Sequence, residues 1–156
     1  MGRKAINKKR KPLNTKQQKW LGEVMPYFYE NGMRKPTMDD IAEHLNLSKA
    51  TIYNYYSSKE DLIHDALWLK LVELQKFRDL LFDDSVEFTE RYYTGAQFFT
   101  KSLQGMSALY LEDLKNHFPK TWADVDLFRE KSAENIKTYY QAGINIGVFR
   151  HFNIDM

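Results

Sequence analysis

Apolar side chains recur along this chain at intervals of three and four residues, and alternation at intervals of two is not sustained, so the pattern predicts helices throughout. Trp20, Leu21, Val24 and Phe28, with Met25, make the apolar face of a first helix starting at Asn14 or Thr15. Thr15-Lys-Gln-Gln18 has capping-box spacing, and Asn31-Gly32 ends the helix with a residue that tolerates left-handed backbone. Pro26 lies inside it and predicts a kink. Thr37-Met-Asp-Asp40 announces a second helix running to about His44 or Leu45, with carboxylates in its positive first turn. Ser48 opens a short third helix. Ser58, with Asp61 three residues on, opens a long fourth helix that carries Leu62, Ile63, Ala66, Leu67, Leu74 and Phe77 to about Phe82. After a break at Asp83-Asp84-Ser85, residues 86–104 and 107–117 predict two helices separated near Gly105. His117 to Trp122 is expected to be a loop marked by Pro119. A last helix covers roughly Ala123 to Ile146 and stops at Gly147, leaving Val148 to Met156 irregular.

Composition narrows the picture. With 156 residues, 43% of them hydrophobic and 15% aromatic, the chain can bury one ordinary core or two small lobes that share one. It has no cysteine, which removes disulfides, thiolate metal sites and thiol nucleophiles, and fits a cytoplasmic protein. No run of about 18 apolar residues predicts a membrane span. The net charge of +2 conceals an asymmetry. Residues 1–70 hold 13 Lys and Arg against 8 Asp and Glu, whereas residues 71–156 hold 10 against 13. The stretch 1–13 reads as a flexible basic tail, either solubilising or directed at a polyanion.

The second and third helices have helix-turn-helix spacing. Counting from Met38, Ile41 is fourth, Ala42 fifth as the small residue where two helices cross, and Leu45 and Leu47 eighth and tenth. Ile52 and Tyr55 follow as fifteenth and eighteenth, and Asn46 takes the ninth position, where the turn calls for left-handed backbone. The segment from Thr37 to Leu67, TMDDIAEHLNLSKATIYNYYSSKEDLIHDAL, resembles the DNA-binding segment of the TetR (tetracycline-repressor) family of bacterial regulators. Tyr56 stands where that family usually has Phe, and Ser57 where Pro is often found. The resemblance covers about residues 14–67, with a further echo in GINIGVFR, Gly143 to Arg150.

The fold expected is all-α: a three-helix DNA-binding domain over 14–57, a connecting helix over 58–82, and a helical effector and assembly lobe over 83–156. The resemblance implies a sequence-specific transcriptional regulator, a repressor released from double-stranded operator DNA by a small-molecule effector. Ser48, Lys49, Ala50, Thr51, Tyr53 and Asn54 are the candidate readers. Ala50 and Thr51 suit a thymine methyl, Asn54 adenine and Lys49 guanine. Thr37 and Lys59, at helix N-termini, are placed for phosphate. Tyr56 is expected in the core and Tyr53 on the DNA, with Tyr55 packing its ring and offering its hydroxyl to a phosphate. Arg3 to Lys11 could add salt-dependent affinity or enter a minor groove.

In the lobe, Phe98, Phe99, Tyr110, Trp122, Phe128 and Tyr139 are candidates to line the effector pocket, and each also suits ordinary core. No cofactor is expected. Asp113 and His117 have i,i+4 spacing but no third metal ligand stands out, and no phosphate loop, nucleophile elbow or HExxH motif suggests an enzyme. The alternative is a helical adaptor for protein partners. The family implies a homodimer built on a bundle of two further C-terminal helices. The chain reaches Met156 where those helices would begin, so the lobe is expected to lack them.

Overall fold

The computed structural model describes residues 12–154, and among these all regular structure is helical. The basic stretch Arg3 to Lys11 lies outside the described residues. Eight helical segments follow in order: α1 (Thr15–Asn31), α2 (Met38–His44), α3 (Lys49–Tyr53), α4 (Lys59–Leu74), α5 (Lys76–Leu81), α6 (Phe88–Ser102), α7 (Ala108–His117) and α8 (Pro119–Asn145). α1 packs on α4 and α7, α2 on α3, α5 on α6, and α8 runs against α4, α5 and α7.

Local chemistry sets most of the boundaries. Thr37, Ser48 and Ser58 each cap the helix that follows, accepting from the amides of Asp40, Thr51 and Asp61. At the head of α1 the capping box is shifted by one residue from the expected register. Asn14 accepts from the Gln17 amide at 2.9 Å while Gln17 Oε1 accepts from the Asn14 amide at 3.2 Å. Asparagine caps at least as well as threonine, so Thr15 is drawn into the first turn and Gln18 donates instead to the Leu13 carbonyl.

Two other expectations are corrected. The long fourth helix breaks at Gln75, where the Arg78 amide bonds the Gln75 carbonyl at 3.0 Å, a three-residue spacing that tightens the helix. The reason lies in what each side buries. Leu62, Ile63, Ala66 and Leu67 of α4 belong to a core shared with α1, α2, α3 and α7. Phe77 and Leu81 of α5 belong to a second, aromatic cluster built on Tyr139 of α8. A continuous helix would not aim one apolar stripe at both. Pro119, expected in a loop, is instead the first residue of α8. Its fixed φ suits a helix start, where its missing N–H is not needed. Phe118 alone separates α7 from α8, its side chain buried and its carbonyl accepting from the Trp122 amide at 2.8 Å.

The C-terminal end of α8 closes with a Schellman motif. Gly147 has φ +76°, its amide bonds the Ile144 carbonyl, and the Val148 amide reaches the Gly143 carbonyl at 2.9 Å. The turn sends Phe149 back onto α8, where it meets Phe88, Tyr139 and Tyr140 edge-on.

Candidate nucleic-acid interface

The turn between α2 and α3 is built from the α2 C-terminus. Asn46 has φ +53° and is the one non-glycine residue with positive φ among the described residues. Its amide bonds the Glu43 carbonyl, and the Leu47 amide bonds the Ala42 carbonyl at 2.8 Å, so asparagine performs the task that glycine performs at many helix ends. Ser48 then caps α3 two residues later, and its hydroxyl pairs with that of Thr51 at 2.8 Å. α3 has only five residues and would not persist alone. Ile52, fully buried, and Tyr56, 2% exposed, hold it to the core from below. Gln17 on α1 reaches the Tyr56 hydroxyl at 3.5 Å, which puts that polar end at the edge of the packing.

The opposite face of α3 is open. Ser48, Lys49, Ala50, Tyr53 and Asn54 are exposed, and Thr51 is half-buried at the margin. Tyr53, at 44% exposure, has no packing role comparable to that of Tyr56. Tyr55 stands between: its ring meets Trp20 edge-on at 5.2 Å, and Lys16 lies over both rings, yet two-fifths of the residue remains exposed.

Two of the expected contact residues are tied to the protein itself. Lys49 Nζ donates to Asp39 Oδ2 at 2.8 Å, an exposed pair joining the first turns of α2 and α3 that also pushes the lysine pKa up. Lys59 Nζ donates to the carbonyls of Arg34 and Pro36 at 2.8 and 2.9 Å. Burial lowers the Lys59 pKa, opposed by the nearby carboxylates of Asp113, Asp40 and Glu60. Thr37 is exposed, but its hydroxyl and amide both donate to Asp40 Oδ2, and these bonds hold the Asp40 carboxyl below its usual range.

Asp39 is a feature that reading for contact residues overlooked. A carboxylate beside a candidate reading lysine competes with any polyanion for the ammonium. Asp39→Asn is therefore expected to tighten binding to duplex DNA by about two- to fivefold at low salt, with the gain fading as salt rises. A filter-binding titration at two salt concentrations reads this directly, and a loss of affinity would show that the Asp39 pair positions Lys49 rather than restraining it.

The six residues expected to share an effector pocket do not converge. Tyr110 is fully buried in the first core, edge-on to Tyr29 at 4.9 Å, and Trp122 packs against that same cluster. Tyr139, 1% exposed, is stacked on Phe88 at 4.4 Å in the second cluster, against which Phe98 and Phe99 also pack. The lobe divides these rings between two cores, and of them Phe99 also lines an open groove together with Phe128. Phe128 remains at a cleft of about 300 Å³ beside the α4–α5 break, bordered by Leu74, Gln75, Phe77, Arg78 and Lys131. Asp113 turns away from the metal-pair reading with His117: its carboxylate is buried and bonded to backbone amides of the segment after α1. Nothing local signals this, because the partners lie 79 and 80 residues away in the chain.

A capped two-helix unit with a left-handed turn, seated on α1 and α4 with one face open, defines the class: a helix-turn-helix protein of the kind that docks on duplex DNA. Residues 26–66 match the family described as bacterial regulatory proteins, tetR family. The uncharacterized HTH-type transcriptional regulator YvaF of Bacillus subtilis (strain 168) is 32% identical over 96 residues, which cover 59% of this chain and 49% of that protein. The HTH-type transcriptional repressor KstR2 of Mycobacterium tuberculosis is 24% identical over 135 residues, covering 72% of this chain and 66% of KstR2. The chain thus spans about half of the first relative and just under two thirds of the second. Among solved structures, the TetR family transcriptional regulator PfmR from Thermus thermophilus aligns with a TM-score of 0.68 at 26% identity, over 86% of this chain and 75% of PfmR. A TetR-family regulator from Marinobacter aquaeolei, at 18% identity and a TM-score of 0.70, shares the fold. Over residues 26–66 the chain is thus similar to the tetR family of bacterial regulatory proteins, and its helical fold is similar to that of solved TetR-family regulators. Among the described residues no helix is long and apolar enough to cross a membrane.

Proposed function

We propose that this chain is a cytoplasmic, sequence-specific DNA-binding transcriptional regulator, and that it acts as a repressor released by a small molecule. The observation that carries the reading is the two-sidedness of α3. Ile52, together with Tyr56 just beyond the helix, anchors it, while Lys49, Ala50, Tyr53 and Asn54 are exposed on a capped turn of helix, Lys49 paired with Asp39. Residues 14–57 serve as the reading domain, α4 and α5 as the connection, and the remainder as the effector lobe. A relative named as a repressor supports the sign of regulation.

Thr51, Ala50 and Asn54 suit the major-groove edges of A·T pairs, and Lys49 suits guanine once it leaves Asp39. Thr37 and Lys59 lie nearest the backbone phosphates in this docking, with Lys59 offering whatever donor its two carbonyl bonds leave unused. One such unit spans few base pairs, so two are needed about 34 Å apart on one face of the duplex, which favours a homodimer on a palindromic site. The effector would enter the cleft at the α4–α5 break, where a ligand against Phe128 and Phe77 would press on the helix that leads to the reading domain.

Selection of bound fragments from genomic DNA, followed by sedimentation of the chain on the enriched sequence, tests this. Enrichment of one palindromic sequence, two chains per site and affinity that falls steeply with salt are the expected results. Recovery of fragments without a common sequence would overturn the regulator reading, and one chain per site with undiminished discrimination would overturn the dimer.

A further inference from the structure

The segment between α1 and α2, Gly32–Pro36, is held from two sides by groups that belong to neither helix. From the lobe, Asp113 of α7 accepts from the amides of Met33 and Arg34, both through Oδ2, at 2.8 and 2.9 Å. From the head of α4, Lys59 donates to the carbonyls of Arg34 and Pro36. Asp113 is 8% exposed, so its carboxylate depends on those amides and on the Lys59 charge in place of water. The approach is close: a Cβ on Gly32, which has φ +73°, would stand 2.5 Å from Asp113 Oδ2 and 3.0 Å from Leu109 Cγ. Glycine at 32 is required both for that backbone conformation and for α7 to come this near. Thr37, the cap of α2, follows Pro36 directly.

We propose that Asp113 is a positioning residue for DNA reading: its carboxylate ties α7 of the lobe to the segment from which the helix-turn-helix starts, so that α2 and α3 follow α7. The inference rests on the regulator reading above and assigns the coupling to a particular contact. A shift of α7 away from α1 would leave a charge buried without its amide donors, which is costly, so the segment moves with α7 or the carboxylate must be rehydrated. Lys59 makes the same segment a joint between α7 and α4. The position of α2 is thereby set through this segment by α7 and α4, in addition to the burial of its Met38, Ile41 and Ala42 in the first core.

The test uses the full chain and the DNA sequence enriched in the genomic selection. Asp113→Asn keeps the shape of the side chain but replaces the charged oxygen that both amides share with a weaker, neutral acceptor. Leu114→Ala, next to it and also buried, is the control for packing loss alone. In amide hydrogen exchange without DNA, Asp113→Asn is expected to speed exchange about tenfold at Met33 and Arg34 and to spread into Asp39 to Leu45, while α8 keeps its protection. On DNA the ratio of specific to non-specific affinity is expected to fall about tenfold, and Leu114→Ala to leave that ratio within about twofold. If Asp113→Asn does not fold, Asp113→Glu, which displaces the carboxylate by one methylene, carries the same expectations. Faster exchange confined to Met33 and Arg34, an unchanged affinity ratio, or an equal fall in Leu114→Ala would each overturn the proposal. Should the native chain select no sequence at all, the regulator reading falls, and the spread or confinement of exchange decides the Asp113 contact by itself.

Discussion

Tyr56→Ala is expected to cost about 3–5 kcal/mol of stability, and Tyr53→Ala, three residues earlier, no more than about 0.5 kcal/mol. Tyr53 ends α3 on its exposed face, whereas Tyr56, just beyond the helix, turns into the core. Tyr56 is 2% exposed and closes the core beneath the reading unit with Ile52 and the buried side chains of α1 and α4. Truncation there removes a ring from a packed interior and leaves a cavity. Tyr53 has no such setting, and its removal mainly uncovers solvent-facing backbone. For DNA the order reverses. At a temperature where both variants are folded, Tyr53→Ala should weaken the specific complex by about 1–3 kcal/mol, the worth of a good base-edge contact, while Tyr56→Ala approaches native affinity. Thermal melts and affinities for the enriched sequence, taken on the same preparations, give the four numbers needed. A Tyr53 variant that melts early and binds normally would mean that the reading face has been assigned to the wrong side of α3.

The helix-turn-helix was legible because the forces that shape it are local. Ser48 and Ser58 can be read as caps from the residues beside them, and Asn46 as the turn residue from its place between two short apolar patterns. The same logic placed the ends of α1 and α2 to within a residue, and its one slip there, choosing Thr15 over Asn14, was between two residues that cap almost equally well. Farther along, the features that local reading missed depend on partners distant in the chain. The break at Gln75 follows from there being two apolar clusters to serve, which no window of 18 residues reveals. Pro119 can end one structure or begin another, and the burial of Phe118 beside it makes it a beginning. Asp113 had the spacing of half a metal site with His117, and only the approach of α7 to Gly32 turns its carboxylate toward backbone amides. The aromatic residues of the lobe were ambiguous in kind: a ring that packs in a core and a ring that lines a pocket have the same composition signal.

Gly143→Ala should expel Phe149 from the aromatic cluster of the lobe, and most of its cost should be lost in a background that lacks the ring. A Cβ at residue 143 would lie 2.2 Å from Phe149 Cδ2, 2.5 Å from its Cε2 and 2.9 Å from Phe88 Cε1. Phe149 cannot slide aside within the cluster, because Phe88, Tyr139 and Tyr140 already surround it. Nor can α8 shift locally, since the Gly143 carbonyl accepts from both the Val148 and Phe149 amides and so joins the helix to the returning segment. Adding one methyl here is therefore overpacking, worth about 1–3 kcal/mol even after alanine's better helix propensity is credited. Phe149→Ala alone should cost a similar amount by loss of burial, less than a fully enclosed ring because Phe149 is only partly buried. The double variant separates clash from general damage. With the ring gone, only Phe88 Cε1 at 2.9 Å still crowds the new methyl, and Gly143→Ala should cost much less than in the native background, giving a coupling of about 1–3 kcal/mol between the two sites. Urea denaturation of the native chain, both single variants and the double variant measures that coupling. Additive costs would show that residue 143 is constrained by something other than Phe149, and that the Gly147 turn does not serve to bring the ring back onto α8.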